Sequence, residues 1–428
     1  MQTDRHTCHP RVSASDMATA SRPVPNGSRV FFVNRYFYPD HSATSQLLAD
    51  LAFHLAKTGE AVHVVTGRQI YDKPDAGLRR DDFIQGVRVI RVWTTRFGRQ
   101  NLLGRTLDYV TFYLSAAWNL VVQLKPGDIV VAKTDPPLIS VVAAMAAKMR
   151  GAKLVNWIQD LFPETADVLW IRMIRPLLPL LRLARNWSLR RASVNIVLGR
   201  RMEARLRNEG VPSERLWVIH NWADGEVIGP IDSNHNELRK GWNLTDKFVV
   251  GYSGNMGRAH ELGTILKAAE LLKTAKHIVF LFIGDGVRRA WIEREADHEG
   301  LENIMFRPYQ PRELLRLSLT VPDVHVISLQ PVLEDLMVPS KFYGVAAAGR
   351  PTLFIGDPAG EIPGILREAG CGWSFAVGDA GGVAACIQEL SRSPGKVREA
   401  GQNARRVLEQ EFERRTALAR WKAVLDSA

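Results

Sequence analysis

Three short stretches of the sequence pair charged side chains with backbone that can receive an anion. Residues 251–257 (GYSGNMG) follow an apolar run and lead through Arg258-Ala259-His260-Glu261 into the helical run 262–272. Glycines at a strand-to-helix turn let backbone N–H groups approach an anion, and a helix N-terminus adds favourable partial charge. Gly254, Asn255 and Gly257 are therefore candidate backbone contacts, and Arg258 the candidate full charge. The alternative is a tight turn with a solvated arginine. Pro339-Ser340-Lys341 precedes a second helical run, 342–348. Ser340 has N-cap chemistry, which would place the Lys341 cation in a first turn where the helix dipole disfavours it. A bound anion would resolve that conflict; otherwise this is a capped helix with an exposed lysine. Residues 283–289 (IGDGVRR) repeat the pattern of strand, turn and basic helix start, with Gly284 and Asp285 as weaker candidates.

Two carboxylates complete the set. Residues 155–164 (VNWIQDLFPE) end a buried-strand pattern with Asp160 and Glu164, near the carboxyl edge where doubly wound sheets bind ligands. Either can serve as a base or an orienting group. In the bland reading Asp160 is a turn acceptor and Glu164 caps a helix.

These residues need a scaffold, and the hydrophobic pattern supplies one. Residues 30–34 (VFFVN), the helical run 45–57, Gly59 and residues 61–66 (AVHVVT) form a β-α-β unit. Further strands are expected at 87–92, 128–132, 153–159 and 194–198, with helices at 107–124 and 138–149, giving a doubly wound parallel sheet. The polar stretch 225–246 breaks the rhythm. A second sheet is expected from 248–252, 278–283, 304–306, 324–327 and 351–355, and residues 396–427 read as terminal helices. The fold class is thus α/β, with two Rossmann-like domains facing a cleft. Residues 1–27 form a flexible extension, 28–225 the first domain, 226–246 the linker, and 247–428 the second domain with its terminal helices.

Composition narrows the function classes. The 428 residues carry a net charge of +11, which favours anionic partners without choosing among phosphate, lipid and nucleic acid. Cys8, Cys371 and Cys386 have no metal-ligand spacing and cannot all pair, which favours a reducing compartment. No signal-peptide core and no run of eighteen charge-free apolar residues is present. There is no G-x-x-x-x-G-K-[ST] loop, no G-x-G-x-x-G turn after the first strand, and no D-x-D pair for a metal-diphosphate site. Cationic side chains would have to hold a diphosphate. Residues 168–201 contain eight arginines and no acid among leucines, so this segment is expected to meet an anionic membrane surface. The alternative is a buried helix with a solvated basic face. No nucleic-acid recognition motif appears.

The stretch from Pro39 to Thr66 ending in G-x-x-V-x-V-V-T, together with QDLFPE, HNWAD at 220–224, YSGNMG, FIGDG and PSKFYGVAAAGRP, resembles the family four glycosyltransferases. The likeness is to the subgroup of bacterial exopolysaccharide and O-antigen transferases, and it spans most of residues 28–425. It implies a GT-B fold, a nucleotide-sugar donor on the second domain, an acceptor on the first, and retaining chemistry that needs no metal or other cofactor. In such enzymes a basic pair neutralises the departing diphosphate, a role that falls here to Arg258 and Lys341.

The sequence also departs from the family pattern. Asn255 stands where an arginine is common, the usual pair of glutamates falls at Leu336 and Gly344, and Gln159 replaces a frequent histidine. Glu361 is then the substitute candidate for the donor ribose, Asp160 the catalytic carboxylate, and Ser42-Ala43 the replacement for an N-terminal glycine pair on the acceptor side, with Glu164. The expected acceptor is an isoprenoid-linked sugar or glycan, and the expected location the cytoplasmic face of the membrane. The rivals are nucleotide-sugar epimerisation or hydrolysis on the same fold, or a basic binding protein without catalysis.

Overall fold

The computed structural model describes residues 28–70, 76–97, 102–169 and 172–428, so the expected extension 1–27 lies outside the described residues. The first sheet has eight strands: β1 Arg29–Val33, β2 Ala61–Thr66, β3 Asp81–Ile84, β4 Val87–Arg91, β5 Ile129–Lys133, β6 Lys153–Trp157, β7 Val194–Val197 and β8 Leu216–Val218. Their spatial order is β3-β4-β2-β1-β5-β6-β7-β8, and every pairing is parallel except β3 with β4. The second sheet has six: β9 Phe248–Ser253, β10 Ile278–Ile283, β11 Ile304–Arg307, β12 Val324–Ser328, β13 Thr352–Gly356 and β14 Gly372–Ala376. Its order is β11-β10-β9-β12-β13-β14, and all pairs are parallel. Chain reversal beside the first strand of each sheet places a switch point, and hence a crevice, at each carboxyl edge.

Helices cover both faces of each sheet because strands such as β10 (IVFLFI) are apolar on both sides. One face of the first sheet packs on helices Leu102–Gln123 and Ile139–Arg150, through Phe112, Ala116, Leu120 and Ala143. The other face packs on Ala43–Lys57 and, against expectation, on the last helix of the chain, Arg414–Ser427. Trp421 of that helix is fully buried, with its ring centroid 4.5 Å from that of Trp157. Residues 414–427 therefore belong with the first domain rather than with the second. A Trp in such a site contributes about 3–5 kcal/mol, enough to fix where the helix docks.

The linker is also shorter than its polar sequence suggests. Asn236 caps helix Glu237–Gly241, and Arg239 is buried with both outer nitrogens 3.0 Å from the Asp323 carboxylate. Leu244 packs with Val249 and Leu281, so residues 236–246 are folded onto the second sheet. An apolar cluster then joins the two domains: Leu198, Met202 and Leu206 of the first pack with Leu336, Phe342 and Ile362 of the second.

Candidate active site

The loops after β9 and β10 interlock at the carboxyl edge of the second sheet. Gly254 N–H donates to Ile283 O at 2.8 Å, Met256 N–H to Asp285 O at 2.8 Å, and Arg288 N–H to Met256 O at 3.0 Å. Gly284 and Gly286 have φ of +133° and +147°. A Cβ on Gly284 would lie 2.2 Å from Gly254 O, and one on Gly286 2.6 Å from Met256 O. The glycines of IGDG thus serve the contact between two loops rather than an open approach to a ligand. Asp285 caps its own turn, its carboxylate accepting from Gly286 N–H at 2.7 Å.

Lys341 reaches this knot from the first residue of helix Lys341–Ala347, across Gly254, where a Cβ would lie 2.9 Å from its Cε. Its ammonium donates to Asn255 O at 3.1 Å and to the Tyr252 hydroxyl, and sits 3.8 Å above the centre of the Tyr252 ring. Burial lowers the amine pKa well below the usual lysine range. His260 stands beside it, with Nδ1 2.6 Å from Ser328 O, and burial followed by the Lys341 charge pushes its pKa down to about 3. A cation without a carboxylate partner in a desolvated pocket is ready for an anion.

The capping chemistry differs from expectation at both helix starts. Ser340 lies at φ −66° and ψ −15°, already in the helical region, and its side chain makes no cap hydrogen bond. Ahead of helix Gly263–Leu271, the Glu261 carboxylate accepts from Gly263 N–H at 2.8 Å and Thr264 N–H at 3.1 Å. That helix end is therefore occupied by a side-chain carboxylate, so the dipole argument for the 251–258 loop does not hold there. Arg258 is exposed, and only its backbone is anchored, its carbonyl accepting from Gln330 Nε2 at 2.7 Å. A Cβ on Gly257 would lie 3.1 Å from Asn255 Nδ2, and Pro339 is buried two residues ahead of Lys341.

Asp160 lies at the domain seam. It forms an isolated antiparallel bridge with Met337, and Leu161 N–H donates to Leu336 O at 2.9 Å. Burial, helped by the Asp135 charge, raises its carboxyl pKa to about 6. It also lines a cavity of about 100 Å³ whose wall is largely apolar, from Pro137, Leu138, Leu161, Phe162 and Leu189.

The other acidic candidates have structural partners. Glu164 is buried and receives Arg185 at 2.7 Å and Arg182 at 2.9 Å, with Arg205 at 3.9 Å, so it is the hub of an ion-pair cluster and not a free base. Glu361 accepts from Arg201 N–H at 3.1 Å and lies against Gly199, so its carboxylate caps helix Arg200–Asn208 across the seam instead of facing a donor ribose. On the acceptor side, Ser42 N–H and Oγ both donate to the Asp40 carboxylate, at 2.8 and 2.5 Å, while Ala43 begins helix Ala43–Lys57 exposed. Gln159 and Asn221 exchange reciprocal amide hydrogen bonds of 3.2 Å, a structural pairing.

The sequence reading passed over two residues. Glu334 is buried behind Glu361, accepts from its N–H at 2.7 Å, and leaves Oε2 without a partner. Burial raises its pKa to about 7; an acid pair inside the apolar run 331–338 was the available signal. Arg288 is half-buried and close enough to influence His260, and IGDGVRR had shown only a basic turn. Among the described residues no group of three or more His, Cys, Asp or Glu side chains converges on a metal-sized point.

Two sheets facing each other across a seam, with the candidate residues at their carboxyl edges, define the GT-B class of glycosyltransferase. Residues 43–222 match the glycosyl transferase 4-like domain model and residues 234–407 the glycosyl transferases group 1 model. The chain belongs to the family four glycosyltransferases and is a glycosyltransferase. It is 28% identical over 303 residues to the probable glycosyltransferase WbjE of Pseudomonas aeruginosa, covering 69% of this chain and 74% of that one. It is 23% identical over 370 residues to WcaI of Escherichia coli, named as a colanic acid biosynthesis glycosyl transferase, covering 83% and 87%. The Anabaena HepE structure in complex with UDP-glucose superposes with a TM-score of 0.69 at 17% identity, over 94% of this chain and all of that one, at 100%.

Proposed function

We propose that this protein transfers a hexosyl or N-acetylhexosaminyl group from a nucleotide-diphosphate-sugar, with retention, to a lipid-linked or glycan acceptor in cell-surface polysaccharide synthesis. The carrying observation is Lys341, a desolvated amine held by Tyr252 and Asn255 and without a carboxylate partner among the described residues. The UDP-glucose bound by HepE and the colanic acid role named for WcaI support the donor class and the pathway class.

In this reading the acceptor hydroxyl attacks the anomeric carbon from the face that the diphosphate leaves. The C–O bond to the leaving oxygen breaks, the new glycosidic bond forms, and the hydroxyl proton passes to a departing phosphate oxygen. Lys341 and Arg258 hold the diphosphate as its charge grows, and a dianion beside Lys341 draws the amine back to its protonated form. Gly254, Asn255 and Gly257 present backbone to the donor. Asp160 orients the acceptor. No metal takes part.

The protein is read as peripheral on the cytoplasmic face of the membrane; no helix among the described residues is long and apolar enough to cross one. The test is to mix purified protein with bacterial membranes and a panel of labelled nucleotide-sugars. Label should reach a lipid-linked or glycan product. Failure across the whole panel, or release of free sugar alone, would overturn the reading.

A further inference from the structure

We propose that one face of the first domain, built from helices Leu102–Gln123, Ile139–Arg150 and Leu178–Arg191, is a docking surface for an anionic lipid bilayer. This deepens the membrane-peripheral reading above and rests on it. The three helices lie side by side on the same face of the first sheet. Each buries one side: Phe112, Ala116 and Leu120 of the first helix are in the core. The opposite side of a surface helix is normally polar. Here it is not.

Leu114 and Trp118 point outward at 67% and 74% exposure, with Leu103 three turns earlier on the same stripe. Met149 continues the surface on the second helix, and Leu180 and Leu183 on the third. Exposed large apolar residues spread over three adjoining helices mark a partner rather than solvent, and an indole with an apolar body and a polar N–H suits a headgroup layer.

Charge selects the partner. The three helices precede β5, β6 and β7, which run parallel, so their C-terminal ends share one edge of the domain. That edge carries Lys125, Lys148, Arg150, Arg190 and Arg191, all exposed and none in an ion pair among the described residues. The helices contain one carboxylate, Asp108, and it is buried against Arg35. An apolar centre with a basic rim and no outward acid fits an anionic headgroup layer better than a protein surface of mixed charge.

The arginine-rich segment contributes less charge than its sequence suggests. Arg175 pairs with Asp167, Arg182 and Arg185 with Glu164, and Arg201 with Asp357. The carboxylates come from outside that segment. The opposite ends of the helices, near Leu103 and Leu180, lie at the carboxyl edge of the sheet. The apolar-walled cavity with Asp160 opens under helices Ile139–Arg150 and Leu178–Arg191, so the docked face ends beside the cleft.

The test is co-sedimentation of the full chain with vesicles of equal parts phosphatidylglycerol and phosphatidylethanolamine, against vesicles of phosphatidylcholine. The protein should bind the anionic vesicles, and high salt should weaken the binding. The double variant Leu114→Glu with Trp118→Glu should reduce apparent affinity at least about tenfold, as should Leu180→Glu with Leu183→Glu on the neighbouring helix. Unfolding temperature and soluble nucleotide binding should stay unchanged in both. Equal affinity of wild type and both variants overturns the proposal, and so does absence of vesicle binding. A stable dimer that both variants dissociate also overturns it, because the face would then join two copies. Vesicle binding lost in the variants while no nucleotide-sugar is turned over by any form supports the surface and removes the donor reading alone.

Discussion

Replacing Lys341 with methionine separates binding chemistry from folding. Methionine keeps the apolar stem that lies against Gly254 and removes the charge. The folded protein loses hydrogen bonds to Asn255 O and to the Tyr252 hydroxyl and the cation over the Tyr252 ring. Those interactions are worth about 1–3 kcal/mol. Against them stands the desolvation that depresses the amine pKa, which the substitution relieves. The two effects oppose, so the net change in stability should stay within about 1 kcal/mol. Transition-state charge has no such offset. Loss of one preorganised charge at a developing anion costs about 3–4 kcal/mol, or roughly 10²–10³ in kcat. Chemical denaturation, calorimetric titration with nucleoside diphosphate and steady-state kcat would be measured on the same preparation. A kcat within about threefold of wild type would remove Lys341 from the reaction. A fall in activity that merely tracks the unfolded fraction would assign it a structural role.

Three other residues make separate claims. Glu334 has a folded pKa raised by burial to about 7, so the folded state binds the extra proton between the unfolded carboxyl range and that value, and stability falls as pH rises through this window. Glu334→Gln should therefore raise stability at pH 8 by about 3 kcal/mol and change it little near pH 5, read by denaturant unfolding; equal shifts at both pH values would contradict this. Glu164→Ala leaves the buried Arg185 with Glu209 as its remaining carboxylate partner and should cost about 3 kcal/mol in denaturant unfolding while leaving kcat per folded molecule intact. A selective loss of kcat would reinstate Glu164 as a base. Asp160, raised to about 6, should give kcat an acidic limb near that pH if its carboxylate orients the acceptor, and Asp160→Asn should flatten the limb and lower the plateau; a limb that persists in the variant assigns it to another group.

The parts of the fold that could be read from sequence are the buried ones. β2 and β10 are found at their expected residues because an apolar run between turn signals has few other readings. β3 (DDFI) and β14 (GWSFA) escaped because edge strands carry polar or half-exposed residues. Periodicity shows that a helix buries a face, but not against what, so residues 414–427 were joined to the wrong sheet. At the candidate site, the place of Lys341 at a helix start was legible from the order of its neighbours. The roles of Glu164 and Glu361 could not, because their partners, Arg185 and Arg201 N–H, are set by packing between segments far apart in the chain. Ser340 looked like a cap by residue type, yet its backbone is already helical.

The docking of Arg414–Ser427 on the first sheet has a consequence for biogenesis. The first domain's sheet is translated by residue 218, well before Trp421 and its neighbours. At about 5–20 residues per second the sheet waits on the order of 10–40 s with one apolar flank uncovered. A nascent chain released before residue 414 would present that flank to solvent, so helix Arg414–Ser427 acts as a check that only chains reaching it close the first domain.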